Sequence, residues 1–331
     1  VSKNKKDQLV AALQMSNSII DAARTVKIPL CLMPVLYQQS EPFKAFTKEQ
    51  EPFVFDEIDN YLELVDSIEG TNLAFGLHSL RAVKEDSLDV FNQVLCEPSW
   101  QELPVHIHIS EQPLEIEQIQ LAYGARPLEY LSSQVNLDSR WNMVHATHFD
   151  NLEFQIAIKN QCNIVLCPIT EANLGDGVFR LKTFHEGGGR YTIGSDSNVM
   201  IEPFQELATL EYGQRLTSGQ RVTISDSSSG SCAEALFSRV QKSAEASCGI
   251  KVGLLKKGYL ANFLSIKNDH PSLLEVAQTS LLDAIIFSAG KSCISEVYVN
   301  GECLVQDGKY KMREELFSEY KECIKSLRGK N

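Results

Sequence analysis

Four short segments place ionisable side chains just past apolar runs: GLHSLR (His78, Arg81), HIHISEQ (His106, His108, Glu111), MVHATH (His145, His148) and IGSDSN (Asp196). His106 and His108 are two apart on an expected strand and so share a face. Neutral imidazole is a common zinc ligand, and a nearby carboxylate not bound to metal, here Glu111, can move protons. His106 lies one layer deeper and reads as a hydrogen-bonded core histidine. His145 taken alone also reads as structural. Asp196 is different, because a carboxylate after an apolar strand is costly to bury without a cation or donor. His108, His145 and Asp196, on three separate strand ends, therefore suit a zinc site. Two imidazoles and a carboxylate leave a coordination position for water. Arg81 can clamp a carboxylate through its forked guanidinium, against the alternative of a surface arginine capping a helix. TEANLGDG, residues 170–177, reads as a polar loop shaping a pocket, with a plain turn as the alternative. His148, His185 and His270 read as loop residues. Cys162 and Cys167 have no partner pair for a zinc ribbon.

The elements that must position these groups follow from hydrophobic patterning. Continuous apolar runs at 28–37, 72–80, 105–109, 141–146, 163–168 and 191–195 read as strands buried on both faces of a parallel sheet. Helical patterns alternate with them. Leu88, Phe91 and Leu95 share one face; Leu114, Ile116, Ile119 and Leu121 line another; Leu207, Leu210, Glu211 and Arg215 follow the last strand. Repeated βα units mean an α/β fold. Consecutive strand ends carrying polar groups point to a closed ring with one mouth, a (β/α)8 TIM-type barrel. A doubly wound sheet would focus ligands at one switch point instead, and no GxGxxG or GxxxxGK[ST] is present. Six units are visible against the eight of a closed barrel, and a helical pattern at 6–26 precedes the first strand. The expectation is that the first two units lie before Val1. Residues 1–250 are thus expected to form the barrel, strands 3–8. Residues 251–331 are expected to hold a small β element, strands at 258–266, 296–299 and 302–305, plus a final helix at 314–327. Asn300–Gly301 is a strong hairpin signal.

Composition narrows the partners. The 331 residues carry 31 basic and 43 acidic side chains, net −12, with 43% hydrophobic and 22% charged residues. Such a surface repels phosphate backbones, which argues against nucleic acid. No apolar run reaches the roughly 18 residues of a membrane span, and VSKNKKDQLV lacks a signal peptide's apolar stretch. Nine cysteines without a CxxC pair read as reduced, mostly buried thiols in a cytoplasmic protein.

HIHISEQ, RWNMVHATH, CPITEANLGDGVF, GSDSN and LEYGQRL together resemble the formimidoylglutamate deiminases, a branch of the amidohydrolase superfamily. The resemblance runs from about Pro34 to the C-terminal β element. It implies a (β/α)8 barrel with one catalytic zinc and a small β-sandwich built from both chain ends. It also implies hydrolysis of N-formimino-L-glutamate to N-formyl-L-glutamate and ammonia in histidine degradation, and a soluble, cytoplasmic homodimer. Residue by residue, His108 and Asp196 resemble zinc ligands, and Glu111 the proton-shuttling carboxylate. His145 resembles the histidine that holds the attacking water, rather than the third ligand of the bare reading. His78 and Arg81 resemble the groups that hold the substrate carboxylates. The family's first-strand HxH is absent, so two further histidine ligands are expected upstream of Val1. Asn198 stands where the family usually has histidine, and Asn262 where aspartate is frequent. Two rival readings are an amidohydrolase acting on an aminated heterocycle and a catalytically inactive fragment or scaffold. Arg81 argues against the first, since a neutral ring needs no carboxylate clamp. The missing HxH is the support for the second.

Overall fold

A computed structural model describes residues 5–197, 199–226 and 230–329. The first strands are β1 (Cys31–Leu32), β2 (Val35–Leu36), β3 (Asn72–Leu73) and β4 (Phe75–Ser79). They are followed by β5 (Val105–Ile109), β6 (Trp141–His145), β7 (Asn163–Leu166) and β8 (Arg190–Ile193). Helices α1 (Lys5–Thr25), α2 (Ile58–Ser67), α3 (Glu85–Val94), α4 (Pro113–Tyr123), α5 (Pro127–Gln134) and α6 (Asn151–Lys159) are interleaved with them. Then come α7 (Pro168–Leu174), α8 (Leu181–Glu186), α9 (Pro203–Ser218) and α10 (Cys232–Cys248).

Six strands form one parallel sheet in the order β2-β4-β5-β6-β7-β8, so chain order is also spatial order. With a helix after each strand, this is the α/β architecture of a TIM-type barrel wall. β1 pairs in parallel with β3 beside it. The strands were read from continuous apolar runs, and burial explains those runs. Val105, Ile107, Ile109, Trp141, Met143, Ile164, Leu166 and Tyr191 are all essentially inaccessible. β5 matches its run of 105–109, whereas the runs at 28–37 and 72–80 each split into two short strands, one in the six-stranded sheet and one in the β1–β3 pair, and the remaining runs continue into the connecting turns.

The helices show their amphipathic logic one by one. α3 buries Leu88, Phe91 and Val94, and Phe91 meets Phe75 and Trp141 edge-on. α9 buries Leu207, Leu210 and Glu211. α4 departs from the expected stripe: Ile116 and Ile119 are buried, but Leu114 and Leu121 are exposed. Glu115 takes the buried position instead, and its carboxylate accepts the Glu111 N–H at 3.0 Å.

The last turn of α10 lies against the amino-terminal parts of the sheet strands. Asn142 donates to the Ala246 carbonyl, Asn163 donates to Ser247 Oγ, and a His106 ring nitrogen meets the Ser247 carbonyl at 2.8 Å. These bonds satisfy polar groups that would otherwise be orphaned below the sheet.

Beyond α10, the strands β9 (Phe263–Ile266), β10 (Ile294–Val299), β11 (Glu302–Gln306) and β12 (Lys309–Tyr310) form an antiparallel sheet. A short helix α11 (Leu281–Ala284) precedes β10, and α12 (Arg313–Arg328) follows β12. Asn300 and Gly301 have φ of 50° and 80°, the positive pair a two-residue hairpin needs. Leu273, Ile285, Ile286, Ala289 and Cys293 pack into the same apolar core as the parallel sheet. Among the described residues no helix is long and apolar enough to cross a membrane.

Candidate functional site

Parallel strands put all their carboxyl ends on one rim, and there the backbone bends sharply. Ser110, His145, Ala146 and Asp196 all adopt positive φ, between 44° and 67°. Non-glycine residues rarely do so, and such strain collects where a side chain must be re-aimed. β4 achieves the same with a register irregularity between Leu77 and Ser79, which leaves His78 as the extra residue against β5.

These turns bring the expected groups together. Ligand atoms of His108, His145 and Asp196 all lie within 4.8 Å of one another. His108 Nδ1 is 2.7 Å from the His78 carbonyl, so that nitrogen carries the proton and donates. His145 Nδ1 likewise faces Glu171 Oε1 at 3.3 Å. Both bonds select the tautomer whose Nε2 lone pair is free for a cation. Burial lowers the pKa of His108 and keeps it neutral, the form that binds metal. Burial also opposes charge on His145. The Glu171 hydrogen bond and the nearby carboxylates of Glu111, Glu171 and Asp196 outweigh it, and its pKa is raised. Two oriented imidazoles and an exposed carboxylate, with ligand atoms this close together, are a donor set that fits a divalent cation such as zinc.

Glu111 stands beside this group, with Oε1 3.7 Å from His145 Nε2. Its main chain is held by Glu115. Burial raises the Glu115 pKa to about 7, against the Glu111 N–H and the Arg81 charge, which pull it down. Arg81 is half-buried, and its Nε has no hydrogen-bond partner among the described residues. A guanidinium donor left open in a partly dry place is what an incoming carboxylate would use. His78 is lowered to about 4 by burial, with His108 and Arg81 adding to the effect. It is therefore a neutral hydrogen-bonding group and not a second cation. Its ring stacks on Tyr37 at 4.6 Å and neighbours His108 at 5.5 Å.

Glu171, which lies at a strand end in TEANLGDG, is the residue to which sequence reasoning gave no role of its own. It is buried, and its Oε1 accepts from both His145 and the Cys167 N–H. The available signal was a carboxylate five residues after β7 in an otherwise neutral run. That run also corrects an expectation: residues 168–174 form a short helix, started by Pro168 and ended by left-handed Gly175, and not a loop. His185 is another correction. It lies within α8, buried, with its ring nitrogens facing the Tyr191 hydroxyl and Asp226. His148 is a turn residue, whose ring Nε2 meets the Asp176 carbonyl. All nine cysteines are free, but Cys96 and Cys323 are exposed. Asn262 accepts the Asn300 N–H at 2.8 Å and so pins the hairpin, as a carboxylate there would. Asn198 lies outside the described residues.

The amidohydrolase family model matches residues 12–304. The chain is 33% identical over 303 residues to the formimidoylglutamate deiminase of Pseudomonas aeruginosa, an alignment covering 90% of this chain and 66% of that protein. It thus spans just under two thirds of that relative's length. A 5-methylthioadenosine/S-adenosylhomocysteine deaminase of Pyrococcus furiosus is 26% identical over 258 residues, 77% of this chain and 59% of that one. Among solved structures, an amidohydrolase from Brucella melitensis superposes with a TM-score of 0.84 at 33% identity, covering 95% of this chain and 70% of that chain. A zinc-bound adenosine deaminase from Xanthomonas campestris shares the fold, with a TM-score of 0.77 at 17% identity and the same two coverages.

Proposed function

The chain belongs to the amidohydrolase family, and from that premise we propose that it serves the hydrolytic deimination of N-formimino-L-glutamate. One observation carries the reading: His108, His145 and Asp196 converge within 4.8 Å beside Glu111 and near an open arginine. The likeness to the Pseudomonas deiminase supports the substrate. A zinc ion held by His108 and Asp196, with His145 alongside, would acidify a water to a pKa of about 7 and polarise the formimino carbon–nitrogen bond.

The chain's own groups do the rest. His145 and Glu111 hold a water between them, with His145 kept in one orientation by Glu171. Water oxygen bonds to the formimino carbon and the carbon–nitrogen bond to the terminal nitrogen breaks. Glu111 passes one water proton to the terminal nitrogen as the carbon–nitrogen double bond opens, and the second, from the new hydroxyl, as the remaining carbon–nitrogen bond breaks, so ammonia departs and N-formyl-L-glutamate remains. Arg81 grips a substrate carboxylate through its fork, and neutral His78 donates one hydrogen bond. Together they orient the reacting end.

The test uses the purified 331-residue chain. Zinc content is measured after dialysis against buffered zinc, and ammonia release is followed with N-formimino-L-glutamate. Near-stoichiometric zinc and turnover are expected. Arg81→Met should reduce kcat/KM on the dicarboxylate far more than on an uncharged formamidine. A chain that keeps no zinc and releases no ammonia would sink the proposal. Equal losses on both substrates would remove Arg81 from recognition.

A further inference from the structure

A second polar cavity lies at the opposite end of β8 from the rim that carries the chemistry. It encloses about 310 Å³ and is lined by Arg190, Asp226, Ser238, Arg239, Lys242 and Ser243. Arg190 is the first residue of β8, whereas Asp196 follows the strand's far end. Arg239, Lys242 and Ser243 stand three and four apart on α10, so they share one helix face.

Three cations against one carboxylate leave this cavity at net +2, on a chain whose total is −12. The single carboxylate is already engaged: Asp226 Oδ1 meets His185 Nε2 at 2.8 Å and Arg239 Nη2 at 3.9 Å. Among the described residues the arginines use only part of their donor sets. Arg190 gives one N–H to the Gln161 carbonyl, and Arg239 gives one to the Gly189 carbonyl. Lys242 has no ion pair among the described residues. Ser243 is largely buried as a residue and lines the same cavity. Guanidinium donors left unspent in a partly enclosed, positively charged cavity favour an anionic acceptor there.

We propose that this cavity binds a dianionic phosphate group, either free phosphate or the monoester of a small metabolite. A carboxylate offers two oxygens, too few for two guanidinium groups, an ammonium and two hydroxyls. A phosphate offers three or four, and its charge of about −1.5 to −2 near neutrality matches the surplus. Arginine forks suit such oxygens bidentately, with the lysine adding a point charge. The site owes nothing to the metal-binding rim.

Isothermal titration of the purified chain at constant ionic strength tests this, with inorganic phosphate in one arm and glycerol 3-phosphate in the other. Saturable binding to a single site is expected in at least one arm. Tighter binding of the ester identifies a metabolite as the occupant; binding of phosphate alone identifies the free ion. Lys242→Met and Ser243→Ala should each weaken binding by roughly tenfold, the usual worth of a charge-assisted contact. Both should leave the thermal midpoint of the unliganded chain unchanged, because neither side chain holds the fold together. Arg81→Met, at the other end of the sheet, should bind phosphate as the parent does. Absence of saturable binding in both arms overturns the proposal. So do Lys242→Met and Ser243→Ala proteins that bind like the parent, or an Arg81→Met protein that loses the binding. None of these outcomes depends on zinc or turnover.

Discussion

Glu115→Gln makes stability depend on pH in a direction that the structure determines. Glu115 is buried beneath the candidate site; one oxygen accepts the Glu111 N–H and the other has no partner among the described residues. Burial raises its pKa from 4.5 to about 7. The folded chain therefore keeps a proton that the unfolded chain releases between those two values. Linkage then lowers wild-type stability as pH rises through that window, and the loss is complete above about pH 7. With one pKa unit worth about 1.4 kcal/mol, the cost accumulated between pH 5 and pH 8 is roughly 2–3 kcal/mol. Glutamine still accepts the Glu111 N–H but cannot ionise. Its buried amide costs about 1–3 kcal/mol at every pH. The variant should be less stable than wild type at pH 5 and should draw level with it, or overtake it, at pH 8. Glu206, whose pKa burial also raises to about 7, slopes both proteins equally and cancels in the difference. Urea unfolding of both proteins at pH 5, 6, 7 and 8 measures the gap directly. A gap that stays constant across that range refutes the reasoning, because Glu115 would then be titrating alike in both states.

Two further perturbations probe the frame around the site. Glu171→Gln removes the charge that orients His145 and should lower zinc affinity about 10–100-fold, read by competition with a chromophoric chelator; unchanged affinity would show that His145 needs no such partner. Gly76→Ala places a Cβ 2.8 Å from the Pro34 carbonyl and 3.0 Å from Met33 and Val35 side-chain atoms, where β2 and β4 pair. Stability should fall by about 1–3 kcal/mol in urea, and a midpoint identical to wild type would mean that the two strands part without cost.

The strand positions, the α/β alternation and the Asn300–Gly301 hairpin were legible in the chain, because each is written in patterns a few residues long. So were the residue types at the rim: an imidazole or carboxylate that interrupts an apolar run is conspicuous at His78, His108, His145 and Asp196. What short-range patterning misses is seen in α4, where Leu114 and Leu121 keep the apolar spacing yet face outward, while charged Glu115 turns in to hold Glu111. His185 was likewise taken for a loop residue, because its partners Tyr191 and Asp226 come later in the chain.

The amino-acid order by itself determined which chemistry was on offer and which segments carried it, since burial on both faces demands unbroken apolar runs and tolerates a charge only at their ends. Only the tertiary structure decided that these charges meet. His108 and Asp196 are far apart in the chain, and no local spacing relates them; parallel pairing in chain order puts their strand ends on one rim. It also decided the tautomers, through the His78 carbonyl and Glu171, because a hydrogen-bond partner from another strand exists only once the sheet has formed.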